Sequence, residues 1–194
     1  MRAASVCVAA ALLACPSMGT AKPAKEKKMA YTSLDLKQGL FRCDIPAGWG
    51  QARDEREEAR TKVQGVHLIG PKEKGPLAPT LSLRYFASGN TVAQTADAYL
   101  KRQLEPGLVP LKGEKTSEPK KASAAGLAGF SFVRDTFEFI PPRSMDTKRI
   151  PVREEYVILE RKEGFFVLLF KAPSASFKRW RPAFQRALDT FQPL

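Results

Sequence analysis

Alternation of apolar and polar residues at a period of two is the feature that most constrains the fold, and it recurs along the chain after residue 30. Phe41, Cys43 and Ile45 alternate with polar residues, and Leu34 and Leu36 do so before a turn at 37–39. Successive strand side chains point to opposite faces, so this pattern predicts a hairpin with one buried face. The same reasoning predicts further strands over 63–68, 80–87, 126–140, 152–161 and 165–171, with Glu163-Gly164 as the last turn.

Two segments have apolar residues at helical spacing instead. Thr91 and Gln94 have capping-box spacing, and an apolar stripe follows to Leu104, which predicts a helix beginning at Thr91. An aromatic stripe predicts a helix over 174–191. Pro182 lacks an amide hydrogen, so we expect a short first turn to Trp180 and a new helix starting near Pro182.

The N-terminal segment predicts export. Residues 3–14 are almost wholly apolar, a length typical of a signal-peptide core and too short to span a bilayer. Cleavage after Ala21 would make residues 1–21 the signal peptide. Leu12 to Cys15 also resembles a bacterial lipobox, and that processing would remove residues 1–14 and leave Cys15 lipidated. Both readings stay open, and both place the mature protein outside the cytoplasm, periplasmic or secreted.

The remaining chain is predicted to form a Lys-rich flexible tether over residues 22–30 and a single domain over residues 31–194. No further apolar run is long enough for a membrane span, so we expect none in the mature chain, and we expect a monomer. If cleavage follows Ala21, Cys43 is an unpaired thiol, and its alternation with Phe41 and Ile45 predicts an inert core position.

The net charge of +12 favours anionic partners. Export and the lack of interleaved aromatic residues argue against nucleic acid. An anionic membrane surface or an unidentified envelope protein therefore remains the expected partner. We expect its binding surface in the loop between Pro141 and Pro151 and on the last helix, at Arg143, Lys148, Arg149, Arg153, Lys178, Arg179 and Arg186.

The order of elements resembles the PsbP-like family, and the resemblance covers residues 31–194. The matching positions are Phe41, Ile45, Pro46, Gly48 and Trp49 in the hairpin, Gly70-Pro71, Thr91, and Phe165 to Pro173 followed by Phe177, Pro182, Phe184 and Phe191. The resemblance implies an α+β fold class, with a central antiparallel sheet packed between helices. It also implies a non-catalytic module that docks on another protein.

The sequence offers little for catalysis. His67 is the single histidine, and its strand position is typical of an ordinary strand-face residue. Glu154 and Glu155 are adjacent on a strand and therefore point to opposite faces, which does not suit paired acid–base chemistry. No His or Cys pair has metal-ligand spacing. We therefore expect no enzyme activity, no catalytic residue, no cofactor and no metal.

Three functions follow, in order of preference. The first is an exported docking or assembly factor of the cell envelope. The second is a carrier of a small apolar or amphipathic ligand, held between sheet and helix by Phe130, Phe132, Tyr156, Phe166 and Trp180. The third is a hydrolase built on His67, which needs that residue in an exposed cleft.

Overall fold

The computed structural model describes residues 29–36, 40–73, 75–106, 111–142 and 147–194. The predicted signal peptide with Cys15, nearly all of the predicted tether and Arg143 lie outside the described residues. The described strands are β1 Tyr31–Asp35, β2 Phe41–Pro46, β3 Gly50–Ala52, β4 Val63–Ile69, β5 Thr80–Ala87, β6 Lys115–Thr116, β7 Lys120–Ala124, β8 Leu127–Ile140, β9 Lys148–Arg161, β10 Gly164–Pro173 and β11 Gln192–Pro193. The described helices are α1 Glu55–Thr61, α2 Ala96–Leu104 and α3 Phe177–Asp189.

These strands form two antiparallel sheets. In the small sheet, β1 and β2 make the predicted hairpin, and the C-terminal β11 pairs with the other edge of β2. In the main sheet the order is β3-β4-β5-β10-β9-β8, and both β6 and β7 pair with β8. Hairpins join β4 to β5, β8 to β9 and β9 to β10, whereas β5 and β10 meet across a long stretch of chain.

Two apolar layers lie on opposite faces of the main sheet. The α3 face is covered by α3 together with the small sheet, whose Phe41, Cys43 and Ile45 are buried as predicted. The α2 face is covered in part by α2, which packs Tyr99 and Leu100 against the sheet. The mixed α+β class with antiparallel strands is confirmed. The expected sheet between helices is not, because strands dominate and a second sheet provides much of the cover.

The start of α2 differs from the prediction. The helix begins at Ala96, and Thr95 caps it by accepting a hydrogen bond from the amide of Ala98 at 3.0 Å. The buried Asn90 organises the preceding turn, because its Oδ1 accepts from Val92 and Ala93. The expected capping box at Thr91 and Gln94 is therefore wrong, since a side-chain-stabilised turn occupies that stretch.

The expected break in the last helix is also wrong. Helix α3 runs continuously through Pro182 from Phe177 to Asp189. Proline removes the amide that would bond to the carbonyl of Lys178, but Lys178 is exposed and that end of the helix can be hydrated. Burial of Trp180 and Phe184 against the sheet keeps the helix continuous.

Candidate binding sites in two regions of the surface

Three of the six described residues in the predicted basic surface have carboxylate partners. Arg153 pairs with Asp135, Arg179 with Glu73 and Arg186 with Asp44. These three pairs are all at least partly exposed, which makes each of them individually weak. A partner that bound these arginines would have to compete with their carboxylates.

The other described members of that surface lie near its predicted loop or on α3. Arg149 lies 3.5 Å from the centre of the Phe137 ring and donates to the carbonyl of Lys112. Lys148 begins β9, so the prediction that Lys148 and Arg149 lie in a loop is wrong, because the strand starts earlier than its apolar pattern. Lys178 lies on the exposed side of α3. The assignment of these residues to an anionic partner stays a prediction.

An apolar cavity of about 920 Å³, the Trp180 cavity, lies where the β4–β5 connection meets the start of α3. Its lining is mostly apolar and rich in proline, and Glu73 and Arg179 form an ion pair within it at 2.6 Å. The lining residues are Pro71, Glu73, Gly75, Pro76, Leu77, Pro79, Ile150, Pro151, Pro173, Ala175, Ser176, Arg179 and Trp180.

Trp180 is the aromatic wall of this cavity. Its ring packs edge-on to Trp49, with centroids 5.9 Å apart. Gly70 lies so close that a Cβ there would be 2.9 Å from the Trp49 ring, so glycine is needed for this packing. The indole Nε1 of Trp180 is buried and has no hydrogen-bond partner among the described residues. A buried donor without a partner costs free energy.

The five aromatic residues predicted to hold a ligand do not line one cavity. Phe132 and Tyr156 belong to the core on the α2 face, and Phe130 packs against it. Phe166 and Trp180 belong to the core on the α3 face. The sheet separates the two groups, so that predicted site is wrong. The hydropathy pattern predicted that each residue is buried. It did not contain the strand order, which determines the face of the main sheet on which each residue lies.

A second region, the polar groove, lies on the α2 face. It consists of two adjacent cavities of about 380 and 340 Å³ that share His67 and Arg84. The groove combines charged residues from five strands and α1 with apolar side chains. Its polar lining residues are Arg53, Asp54, Glu57, Glu58, Thr61, His67, Thr80, Ser82, Arg84, Tyr99, Glu138, Glu154 and Lys171.

A buried ion pair stands at one end of this groove. Glu154 is 6% exposed, and its Oε2 accepts from Arg134 Nε at 2.8 Å and from the Tyr156 hydroxyl at 3.0 Å. Burial and the nearby Glu154 carboxylate raise the pKa of Tyr156, which therefore stays protonated as a donor. Next to this pair, Lys171 binds Glu138. At this end of the groove, Glu154 and Glu138 therefore each form an ion pair with a basic side chain.

The middle of the groove contains Ser82 opposite His67 across the β4–β5 pairing. Ser82 is 6% exposed, and its buried Oγ has no hydrogen-bond partner in the part of the chain that the structure describes. His67 is half-buried, and burial together with Arg84 and Lys171 lowers its pKa. A serine nucleophile needs a hydrogen bond to its base. Ser82 and His67 do not make one, so the geometry gives the hydrolase alternative no support.

Sequence reasoning did not identify Ser82 and Arg84. The available signal was the second face of β5, where Thr80, Ser82 and Arg84 alternate with the buried Leu81 and Leu83. Cys43 lies where it was predicted, and burial raises the pKa of its thiol to about 12, so it is unreactive at neutral pH.

Among the residues that the structure describes, no three or more His, Cys, Asp or Glu side chains are grouped to hold a metal ion. None of the described helices is long and apolar enough to cross a membrane.

Comparison with known proteins shows distant likeness in structure. No family model matches the chain, and no curated protein matches it. One similar solved structure is PA94, a Pseudomonas aeruginosa protein of unknown function and candidate regulator, with 17% identity and a TM-score of 0.47 over 84% of this chain and 97% of that one. Another is LpqN of Mycobacterium tuberculosis, involved in cell envelope biogenesis, with 17% identity and a TM-score of 0.41 over 87% of this chain and 86% of that one. The PsbP-like resemblance stays a prediction.

Proposed function

We propose that this chain is an exported, non-catalytic protein that carries a small amphipathic ligand in the Trp180 cavity. The observation that carries the proposal is an apolar cavity of about 920 Å³ whose wall includes Trp180, a side chain with a buried Nε1 that has no partner among the described residues. Small-molecule sites have volumes of roughly 300 to 1,000 Å³ and combine an apolar lining with a few fixed polar groups. The Trp180 cavity has both properties.

The lining also indicates what kind of ligand fits. Five of the lining residues are prolines, which have no backbone amide to donate. Leu77 and Ile150 add aliphatic surface, so the wall favours an apolar body. Trp180 brings a donor that has no acceptor among the residues that the structure describes. The expected ligand is therefore largely apolar and has one hydrogen-bond acceptor.

Purification from the native envelope, followed by solvent extraction and mass spectrometry, tests the proposal. The expected result is a bound small molecule at near-stoichiometric amounts. Replacing Ala175 with tryptophan should fill the cavity from its exposed edge, because Ala175 lines it and is itself exposed. We expect this variant to carry at least tenfold less bound molecule than the native protein and to remain folded.

A matched substitution at the exposed Ala128 on β8, which does not line the cavity, should keep the ligand. Circular dichroism should show both variants folded. A native protein that carries no extracted molecule, or an Ala175→Trp variant that carries as much as the Ala128→Trp variant, would contradict the proposal.

Docking on an envelope protein is the second proposal, and one observation favours it. Phe139 is 39% exposed and pairs with Arg149 near the end of the β8–β9 hairpin, beside Lys148 and the predicted basic loop. An exposed aromatic flanked by cations is typical of a docking surface. If docking occurs there, Phe139→Glu should abolish cross-linking to the envelope partner while Ala128→Glu preserves it. Equal cross-linking of both variants would contradict it.

Export is part of the first proposal and rests on the N-terminal sequence. The mass of the mature N-terminus separates an acylated Cys15 from a free Lys22. A mature chain that still begins at Met1 would contradict export.

A further inference from the structure

We infer that the polar groove is a second binding site, which takes an oxyanion on Arg84 and Ser82 beside His67. This site lies on the α2 face of the main sheet, whereas Trp180 packs on the α3 face. The inference is therefore independent of the proposed ligand cavity. The ligand is defined here by its charged group, a phosphate or a carboxylate.

Arg84 has no carboxylate partner among the residues that the structure describes. The other basic side chains of the groove are occupied, because Lys171 binds Glu138 and Arg53 binds Glu58 at 2.6 Å. Arg84 is exposed in the section common to both cavities. A guanidinium has donors in a planar fork that fits a carboxylate or phosphate, so an anion can bind here without displacing an existing ion pair.

The carboxylates around the groove do not compete for Arg84. Glu154 is held by Arg134 at 2.7 Å, and Glu57 on α1 is held by Arg60. Asp54 accepts the amide hydrogen of Glu57 and caps α1. Each of these acids thus contacts a group other than Arg84, and Arg84 is the one cation of the groove lining that has no carboxylate partner among the described residues.

Ser82 provides the second, independent observation. Its side chain is more than nine-tenths buried, and it lines the groove two residues before Arg84 on the same face of β5. Its Oγ has no partner within the described ranges. A buried hydroxyl without a partner is unfavourable, and few such groups occur in folded proteins. An anion oxygen bound by Arg84 would accept the hydroxyl hydrogen and satisfy this group.

His67 reports the electrostatic character of the site. The positive charges of Arg84 and Lys171, together with burial, lower its pKa. An anion bound between these groups would reverse that effect and favour the charged imidazole. The pKa of His67 should therefore rise when an anion binds, and anion affinity should increase as the pH falls.

Because His67 is the single histidine of the sequence, its ring protons are a clean probe in an untagged protein. The experiment follows the pH titration of His67 by proton NMR at fixed ionic strength, with sodium phosphate, sodium acetate or sodium chloride added. We expect a saturable rise in the His67 pKa with phosphate or acetate that chloride does not reproduce. The anion with the larger effect identifies the ligand's charged group.

Two variants and one control sharpen the test. Arg84→Gln should weaken anion binding at least tenfold, and Ser82→Ala should weaken it severalfold. Without anion, Ser82→Ala should match or exceed the thermal midpoint of the native protein, since it removes a buried unpaired hydroxyl. Lys121→Gln makes the same charge change at an exposed site on β7 and should leave anion affinity unchanged.

Three results would overturn the inference. The first is a His67 pKa that neither phosphate nor acetate moves. The second is an equal rise with chloride, which would indicate general screening. The third is an Arg84→Gln variant that binds the anion as tightly as the Lys121→Gln variant. Because Arg84 is exposed, its replacement should not unfold the domain, and circular dichroism checks this.

Discussion

Replacement of Phe166 by alanine is expected to lower the free energy of unfolding by about 3 to 5 kcal/mol, the range for truncating a buried phenylalanine. Phe166 in β10 is fully buried and joins the main sheet to the small sheet and the C-terminus. Its ring centroid lies 4.9 Å from Tyr85, 5.1 Å from Phe191 and 6.1 Å from Phe41. Truncation would remove all three contacts and leave a cavity where the layers meet.

Urea unfolding followed by far-ultraviolet circular dichroism measures this loss. The same substitution at the exposed Phe139 is the control and should change the free energy of unfolding by less than about 0.5 kcal/mol. If Phe166→Ala cost no more than Phe139→Ala, the packing of the small sheet on the main sheet would be wrong.

Replacement of Glu154 by leucine is expected to cost about 3 kcal/mol, the lower end for breaking a buried ion pair. The change would leave Arg134 without its carboxylate and the Tyr156 hydroxyl without its acceptor. The lower end applies because the Arg134 side chain keeps 24% of its surface exposed and can recover some hydration.

The double variant Glu154→Leu, Arg134→Met distinguishes the cost of one unpaired buried charge from the contribution of the ion pair itself. Removing both charges should restore much of the lost stability, because no unpaired charge remains in the groove. Glu57→Leu breaks the exposed pair with Arg60 and should have little effect. Chemical denaturation of all four proteins tests this. A double variant less stable than Glu154→Leu would contradict the account.

The sequence predicted the strands better than the helices. Alternation placed β5 at 80–87, and the structure has Thr80–Ala87. A strand pattern is read from neighbouring residues, and so is a tight turn such as the β9–β10 hairpin. The pairing of β5 with β10 depends on residues far apart in sequence, and no local pattern contains it.

The two errors at the helices had different causes. Thr91 and Thr95 are both acceptable caps, and the choice was decided by Asn90, whose buried side chain holds the preceding turn. Pro182 is unfavourable inside a helix, yet the burial of Trp180 and Phe184 outweighs the lost hydrogen bond. The first error has a local cause in the Asn90 turn, whereas in the second tertiary packing overrides local preference.

The candidate sites were the least predictable part. The role of the basic residues on α3 and in β9 stays a prediction, and the pairing of Arg186 with Asp44 joins positions far apart in the sequence. Ser82 and Arg84 form part of a groove only because β4 and β10 flank β5 and place His67 and Lys171 beside them. The sequence pattern of β5 alone does not contain this pairing. The Trp180 cavity likewise needs the meeting of three separate segments.

The indole Nε1–H resonance of Trp180 tests the central claim most directly. The chain has two tryptophans, so a Trp49→Phe variant assigns the two indole signals in a proton–nitrogen spectrum. The neutral probe 2-octanone has an apolar body and one carbonyl acceptor. We expect its addition to the delipidated protein to move the Trp180 signal downfield in a saturable manner, and we expect Ala175→Trp to abolish that shift. A Trp180 signal that does not move as 2-octanone is added would contradict ligand binding in this cavity.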